Sequence, residues 1–212
     1  LPGVPMSTSL RTVRTARLSR LAVIVAAIAT FTATSTEALD IREMPFKAND
    51  IVYDRVSGKL YVSVPGNSTA YPNSIVAINP STGAVEASVW VGSEPNVLAL
   101  SDDGQYLYVG LDGAAAIRRV QLPSRTAGLQ FGLGSAPSCG PYLAGSVSVM
   151  PGASSTIAVV RILQGISGTG GVAIYDDGIV RPVATTSPYG AERITFGTDP
   201  ARLYGIGSGI TT

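Results

Sequence analysis

The sequence contains no histidine and a single cysteine, Cys139, among its 212 residues. Without an imidazole, the chain lacks Ser-His-Asp and Cys-His catalysis, histidine-ligated zinc or haem, and the usual proton shuttle. One cysteine excludes an internal disulfide. Charged residues are scarce, at 14% against about 25% in typical proteins, while 45% of residues are hydrophobic. The composition predicts a chain with a buried core, and we predict no catalytic residue, metal ligand or cofactor.

Positive charge is also missing from most of the chain. Four of the 15 basic residues, Arg11, Arg14, Arg17 and Arg20, lie close together near the start, and the residues after Ala38 carry 11 basic and 13 acidic side chains. Proteins that bind nucleic acid need a basic surface to neutralise phosphates. The sequence therefore predicts no nucleic-acid partner.

Residues 1–38 are interpreted as a few upstream residues followed by a secretory signal peptide. The arginines precede the 11-residue apolar run Leu21–Phe31, and small polar residues continue to Ala38, where we predict cleavage. A transmembrane helix needs about 20 apolar residues, so no membrane span is expected after cleavage. These features predict a protein that is secreted, periplasmic or at the cell surface, with its folded domain at residues 39–212.

A short apolar motif recurs through that domain. It appears as Leu60-Tyr61-Val62, Leu107-Tyr108-Val109, Ile157-Ala158-Val159 and Leu203-Tyr204-Gly205, at spacings of 47, 50 and 46 residues. Each copy follows a turn rich in Gly, Asp, Ser or Pro, and a second hairpin pattern lies between successive copies. Four short strands per repeat of this length are typical of the blade of a β-propeller.

The segment VGSEPNVLALSDDGQYLYVG at residues 91–110 resembles the consensus of the YVTN-type bacterial propeller repeats. The preceding hairpin Asn73–Gly92, which contains INPSTGAV, is similar to the second half of that repeat. The resemblance is good across residues 50–134, weaker across 145–186 and partial across 188–206. It implies a seven-bladed ring, of which this chain would hold about half.

We therefore predict an all-β fold, a β-propeller of four-stranded blades with about three and a half blades present. The predicted units are Ile51–Gly92, Val97–Gly134, Ser146–Thr186 and a partial fourth unit at Ala191–Phe196 and Arg202–Ile206. Closed propellers have 4–8 blades. Two interpretations stay open: the chain is a fragment of a longer reading frame, or two copies complete one ring. In either case an open blade edge is expected to promote self-association.

Two acidic pairs, Asp102-Asp103 and Asp176-Asp177, are candidates for calcium binding or for acid–base chemistry. Both pairs precede a glycine in a predicted hairpin turn. Aspartate favours such turns because its carboxylate accepts hydrogen bonds from the local backbone. We favour the turn interpretation.

In propellers, ligands generally meet the face that carries the loops between second and third strands and the links between blades. Six polar or aromatic residues of this chain are expected on that face and form our candidate binding site: Glu94, Asn96, Asp112, Tyr142, Tyr189 and Glu192. The alternative is that the links only satisfy their own backbone, which the prolines within them also fit.

The favoured function is that of an exported, non-catalytic propeller that binds a protein or a glycan, or acts as a scaffold, at the cell surface or in the periplasm. This interpretation rests on the missing catalytic groups and on analogy between folds. Two alternatives remain. One is a lactonase-like propeller hydrolase with a metal held by carboxylate and amide oxygens, and the other is a purely structural envelope protein.

Overall fold

The computed structural model describes residues 41–165, 169–185 and 191–207. The predicted signal peptide lies outside these residues. In the described part nearly all regular structure is β-strand, and the helical content is a single 3-10 turn at Asp112–Ala114. No helix there is long and apolar enough to cross a membrane.

The strands follow one another along the chain with short turns between most of them. Their bounds are β1 Asp50–Asp54, β2 Lys59–Val64, β3 Ser74–Ile78, β4 Val85–Trp90, β5 Pro95–Leu100, β6 Tyr106–Leu111, β7 Ala116–Gln121, β8 Thr126–Gly132, β9 Ser135–Ala136, β10 Gly140–Met150, β11 Ala153–Leu163, β12 Thr169–Asp176, β13 Ile179–Ala184, β14 Arg193–Phe196 and β15 Leu203–Ile206.

The strands form four antiparallel sheets, each built from consecutive strands in sequence order. We name them blade 1 (β1–β4), blade 2 (β5–β8), blade 3 (β9–β13) and blade 4 (β14–β15). Successive blades pack through their first long strands: β5 lies beside β1, β10 beside β5, and β14 beside β10. In blade 3 this strand is β10, because β9 is only a short added strand. The predicted fold class, a partial propeller of four-stranded blades, is confirmed.

Packing between blades follows from the alternation of side chains along a strand, since successive residues point to opposite faces of a sheet. On β6, Leu107 and Val109 pack against blade 1, with Tyr61 and Ile75 in the same buried cluster. The intervening Tyr108 packs the other way, into a cluster that contains residues of blade 3. The apolar motif found in the sequence therefore packs on both sides of its strand, against the preceding blade on one side and the following blade on the other.

Side chains on the first strands also hydrogen-bond from blade to blade. Asp50 Oδ2 of blade 1 accepts a hydrogen bond of 2.8 Å from the backbone N–H of Leu98 in blade 2. In the same way Ser146 Oγ of blade 3 accepts one from Ile194 N–H of blade 4, at 3.3 Å. Because both pairs are 48 residues apart, these bonds repeat with the period of the sequence.

Blade 3 differs from the prediction at its start. The predicted third unit begins at Ser146, but before that residue β9 and the first part of β10 form a small antiparallel hairpin in which Gly140 pairs with Ala136. β10 then continues for 11 residues and pairs with an equally long β11. The turn of this hairpin is formed by Pro137, Ser138 and Cys139. Because these residues are typical of turns, the sequence contains no indication that the residues on either side form strands.

The first acidic pair lies in the β5–β6 turn, as predicted. Asp103 Oδ1 accepts a hydrogen bond from Gln105 N–H at 3.0 Å, which closes the turn locally. Asp102 Oδ2 accepts one from Gly152 N–H at 2.9 Å, in the corresponding turn of blade 3. The turn interpretation is confirmed, and Asp102 additionally ties neighbouring blades together.

The second acidic pair lies at the start of the β12–β13 connection, with Asp176 as the last residue of β12 and Asp177 in the turn. Asp176 accepts hydrogen bonds from Thr156 Oγ1 at 2.7 Å and from Arg181 Nε at 2.7 Å and Nη2 at 2.9 Å. Asp177 accepts one from Arg119 of blade 2 at 2.6 Å. Asp176 is therefore occupied by contacts with neighbouring strands of blade 3, and Asp177 by a contact with blade 2.

Candidate functional site

Three of the six predicted site residues, Glu94, Asn96 and Asp112, converge at the junction of blades 1 and 2. Glu94 ends the link after blade 1, and Asn96 is the second residue of β5. Asp112 follows directly after β6 and begins the 3-10 turn. The backbone N–H of Asp112 donates to Glu94 O at 2.9 Å, which holds the link against the turn. We call this group the junction site.

The Glu94 side chain is held by the loop between β2 and β3 of blade 1. Gly66 N–H donates to Glu94 Oε2 at 3.3 Å. A Cβ atom added at Gly66 would lie 2.6 Å from Glu94 Oε1, so only glycine lets the backbone approach the carboxylate this closely. Asn73, at the end of the same loop, accepts a hydrogen bond from Glu94 N–H through Oδ1 at 3.0 Å.

The backbone at this site adopts a conformation that non-glycine residues rarely occupy. Asn73 has φ 59° and Glu94 has φ 52°, both in the left-handed region. Left-handed residues of this kind persist only where surrounding contacts hold them, and they concentrate at binding and active sites. The contacts of Asn73 and Gly66 with Glu94 are the restraints that hold the link in place.

Asp112 is the most unusual group of the junction site. Its Oδ2 accepts a hydrogen bond from Asn96 Nδ2 at 2.8 Å, whereas Oδ1 is buried and has no hydrogen-bond partner. Burial raises the pKa of Asp112 above its ordinary value of 3.8; the Asn96 hydrogen bond opposes this rise, and the nearby Glu94 carboxylate adds to it. The ionised carboxylate is therefore disfavoured in the unliganded fold, and a hydrogen-bond donor or cation would stabilise it.

Tyr142 belongs to a second group, at the same end of blade 3. The guanidinium carbon of Arg161 lies 4.8 Å from the centre of the Tyr142 ring, a cation–π contact. Arg161 Nη2 also donates to Gly170 O, while Arg161 Nε is buried without a hydrogen-bond partner. Among the described residues, Arg161 Nε and Asp112 Oδ1 are the only buried side-chain polar atoms without a hydrogen-bond partner.

The other two predicted site residues are Glu192 and Tyr189. Glu192 is exposed, and its backbone N–H donates to Ile206 O at 2.7 Å at the entrance to blade 4. Tyr189 lies outside the described residues. The convergence predicted for six residues is seen for Glu94, Asn96 and Asp112.

The sequence interpretation missed three residues that shape the site: Gly66, Asn73 and Arg161. Gly66 and Asn73 could have been identified from the sequence, because they lie near the two ends of the loop between the second and third strands of blade 1. Asparagine is also common at left-handed positions. Arg161 lies within the largely apolar strand β11 and pairs with Ala144 of β10, two residues from Tyr142. The sequence alone does not show this pairing, which brings Arg161 to the Tyr142 ring.

The donor set at the junction site does not resemble a metal centre. Glu94 and Asp112 are its only carboxylates, and no group of three or more His, Cys, Asp or Glu side chains in the described residues could hold a metal ion. The residues described here therefore do not fit the metal site that a lactonase-like propeller would need. What the junction site offers is a desolvated carboxylate beside a second carboxylate and two amide side chains, which suits a hydrogen-bond donor carrying positive charge.

No protein-family model matches the chain, and no curated protein matches it significantly. Solved structures do match. The chain is similar to the structure of U3-55K (TM-score 0.54, 12% identity, covering 73% of this chain and 44% of that one) and to the RRP9 WD40 repeats (0.54, 12%, 73% and 43%). It is also similar to the β-propeller domain of Cps50 (Swd1) from Myceliophteria thermophila (0.58, 15%, 77% and 51%).

The chain folds as part of a β-propeller. At these identities the similarity shows the fold alone. The chain spans about half the length of the propeller chains it matches. The repeat seen in the sequence and these three propellers agree on blades of consecutive antiparallel strands.

The raised pKa of Asp112 leads to a prediction about stability. A carboxyl whose pKa is higher in the folded state favours folding most below its unfolded pKa, and this contribution is lost as pH rises through the folded pKa. We expect Asp112→Asn, which cannot ionise, to have a higher Tm than wild type at pH 7 and nearly the same Tm at pH 3. Thermal unfolding followed by circular dichroism at both pH values measures this difference.

A control of opposite sign is available in Asp176, whose pKa is lowered mainly by the hydrogen bond from Arg181 and also by Thr156. Asp176→Asn should lower the Tm at pH 7, with a difference that shrinks as pH falls through the depressed pKa of Asp176. If Asp112→Asn also lowered the Tm at pH 7, ionised Asp112 would be stabilised in the fold, contrary to its position.

Proposed function

We propose that this protein is an exported, non-catalytic propeller of the YVTN repeat type that binds a protein partner through the junction site. The observation that carries the proposal is the convergence of Glu94, Asn96 and Asp112 with one buried carboxylate oxygen left without a donor. Export is supported by the arginine cluster and apolar run at the start of the sequence.

The chemistry of the junction site favours a basic side chain of the partner as the group that is recognised. A lysine or arginine can donate hydrogen bonds to Asp112 and Glu94 while neutralising both charges. A neutral glycan hydroxyl can donate as well, but it leaves two neighbouring carboxylates uncompensated. For this reason the proposal commits to a protein.

The preformed geometry supports the same function. The link is fixed by Gly66 and Asn73 before any partner arrives, so little conformational entropy is lost on binding at this position. Glu94 and Asp112 are half-buried, so each residue keeps part of its surface exposed to solvent. A central, partly desolvated charged group of this kind is where the binding energy of protein interfaces concentrates.

The test is capture of a partner from the secreted fraction of the source cells on immobilised wild-type chain. We expect one captured species that protease treatment of the fraction removes and glycosidase treatment does not. Asp112→Asn and Glu94→Gln should each weaken its binding at least tenfold, and binding should fall as the salt concentration rises because the contact is ionic.

Asp199→Asn serves as the matched control, since Asp199 is an acidic residue in the β14–β15 turn, at the opposite end of the strands from the junction site. It should leave capture unchanged. Capture that survives both junction-site substitutions, or that only glycosidase removes, would contradict the proposal.

A further inference from the structure

Arg161 occupies a position that blades 1 and 2 fill with a buried aliphatic residue. The apolar motif aligns Val159 of β11 with Val109 of β6, and each packs against the preceding blade. Two residues further along the same side of the strand, β6 has Leu111, which is 1% exposed, whereas β11 has Arg161. Blade 1 has Val64 at this position, and it is fully buried. Blade 3 therefore carries a charged residue where the repeat otherwise has core.

The arginine faces blade 2, away from either end of the blade series. Arg161 pairs with Ala144 of β10, and residues directly opposite each other in an antiparallel pair lie on one side of the sheet. Ala144 belongs to the buried cluster between blades 2 and 3, and a Cβ added at Gly110 would lie 3.1 Å from Ala144 Cβ. Gly110 comes two residues before Asp112. Arg161 and the junction site thus lie at neighbouring blade interfaces, both near the loop face, which carries the connections between second and third strands.

The surroundings of Arg161 supply stacking and hydrogen bonds but no negative charge. Its guanidinium lies over the Tyr142 ring and donates to Gly170 O. Burial raises the pKa of Tyr175, and the charge of the nearby Arg161 opposes this rise. Among the residues that the structure describes, no carboxylate forms an ion pair with Arg161. In the sequence, residues 113–175 contain four arginines and no acidic residue.

Two other arginines show how guanidinium groups are satisfied in this fold. Arg118, which is also partly buried, donates from Nε to Val91 O at 3.0 Å and from Nη1 to a second carbonyl at 2.9 Å. Arg181 holds the Asp176 carboxylate side-on, with Nε at 2.7 Å and Nη2 at 2.9 Å. Arg161 Nε has neither kind of partner, so a donor of a permanently charged group stays unused. A carboxylate matches this donor, because it accepts from Nε and a neighbouring Nη nitrogen together.

We propose that Arg161 is a second binding position and holds an acidic side chain of the protein partner that the junction site binds. This inference rests on the proposed function. The partner surface then carries both signs, with a basic group at Glu94 and Asp112 and an acidic group at Arg161. An acidic glycan would suit Arg161 alone, since the two carboxylates of the junction site would repel it. Packed sheets lie about 10 Å apart and an interface of standard size is about 30 Å across, so one partner covers both positions.

The first experiment separates a binding role from a packing role. Arg161→Leu places at this position the residue type that blade 2 already has. Replacing an unpaired, partly buried charge by an apolar side chain should leave the Tm of the full chain equal to or above that of wild type. A lower Tm would assign Arg161 to packing and overturn the proposal.

The second experiment uses acetate as the probe and needs no partner. In the ¹⁵N-labelled wild-type chain, the Nε–H signal of Arg161 is identified by its loss in Arg161→Leu. Acetate, added at constant ionic strength against chloride, should shift this signal to saturation. The Nε–H signal of Arg118 is the matched control and should not move, because Val91 O already accepts its hydrogen bond. Overturning results are no shift, equal shifts of both signals, or saturation by inorganic phosphate at a tenfold lower concentration, which would make Arg161 a phosphate site.

A third measurement is capture of the protein partner from the secreted fraction. Arg161→Leu should weaken capture at least tenfold, and its loss should multiply with that of Asp112→Asn, because the two positions lie in different blade interfaces. Arg55→Leu is the matched control and should leave capture unchanged, since Arg55 is exposed in the β1–β2 turn at the opposite end of the strands. Capture that Asp112→Asn weakens and Arg161→Leu does not would overturn this inference alone. If no protein is captured, the proposed function fails, and the acetate result still decides whether Arg161 binds a carboxylate.

Discussion

Tyr108→Ala is expected to destabilise the fold by about 3–5 kcal/mol, as truncations of buried aromatic residues do. Tyr108 is 1% exposed between blades 2 and 3, and its hydroxyl donates to Ser154 O at 2.8 Å. Its removal leaves a cavity in the blade interface and an unpaired carbonyl. Chemical denaturation followed by tryptophan fluorescence or circular dichroism measures the loss.

Two variants separate the causes of this loss. Tyr108→Phe keeps the ring and removes only the hydrogen bond, so it should lower stability by about 1 kcal/mol. Trp90→Ala removes a larger ring from β4, but Trp90 is mostly exposed, and the change should stay below about 1 kcal/mol. If Tyr108→Ala and Trp90→Ala had equal effects, the interface between blades 2 and 3 would not be the packed core that the structure shows.

Much of the architecture could be predicted because it depends on local signals. Each second strand carries an apolar motif after a tight turn, and these motifs recur at a nearly constant spacing. Turn residues and alternation act over a few positions, so they can be seen without knowing what packs where. Blade 3 departs from the prediction at its start because Pro137 and Gly140 are residues typical of turns, yet Pro137 directly follows β9 and Gly140 begins β10.

The junction site was predicted only in part, for a physical reason. Topology alone places Glu94, Asn96 and Asp112 at one end of neighbouring blades, where Asn96 donates to Asp112 and the Asp112 N–H donates to Glu94 O. The left-handed backbone of Glu94 is held by Gly66 and Asn73, which lie 28 and 21 residues earlier in the chain, and the burial of Asp112 Oδ1 is set by the folded structure. No local pattern encodes such contacts.

The covering of blade 1 was not predicted either. Met44 and Phe46 precede the first strand and follow no repeat, so the sequence gives no reason to place them on Val62 and Val76. At the other end of the series, Tyr204 and Ile206 of blade 4 are exposed. Segments outside a repeat pack wherever apolar surface is left uncovered, which makes them the hardest parts of such a fold to place.

Gly110→Ala is expected to destabilise the fold by about 1–3 kcal/mol, although alanine is ordinarily the better residue in a strand. A Cβ atom at Gly110 would lie 2.8 Å from Val97 Cγ2 and 3.1 Å from Ala144 Cβ, so the added methyl group has no room between blades 2 and 3. Urea unfolding compares the variant with wild type.

The cause is isolated by a double-mutant cycle with Val97→Ala, which removes the methyl group that Gly110→Ala would strike. In the Val97→Ala background, Gly110→Ala should have a much smaller effect, with a coupling of about 1 kcal/mol or more. Gly132→Ala is the matched control, because Gly132 also lies in a strand and an added Cβ would meet only Ala115 O, at 4.0 Å. That change should be neutral or mildly stabilising. Additive effects of Gly110→Ala and Val97→Ala would mean that the added methyl group does not meet Val97, whereas strong coupling would show that the close packing of Val97 on Gly110 sets the cost of the substitution.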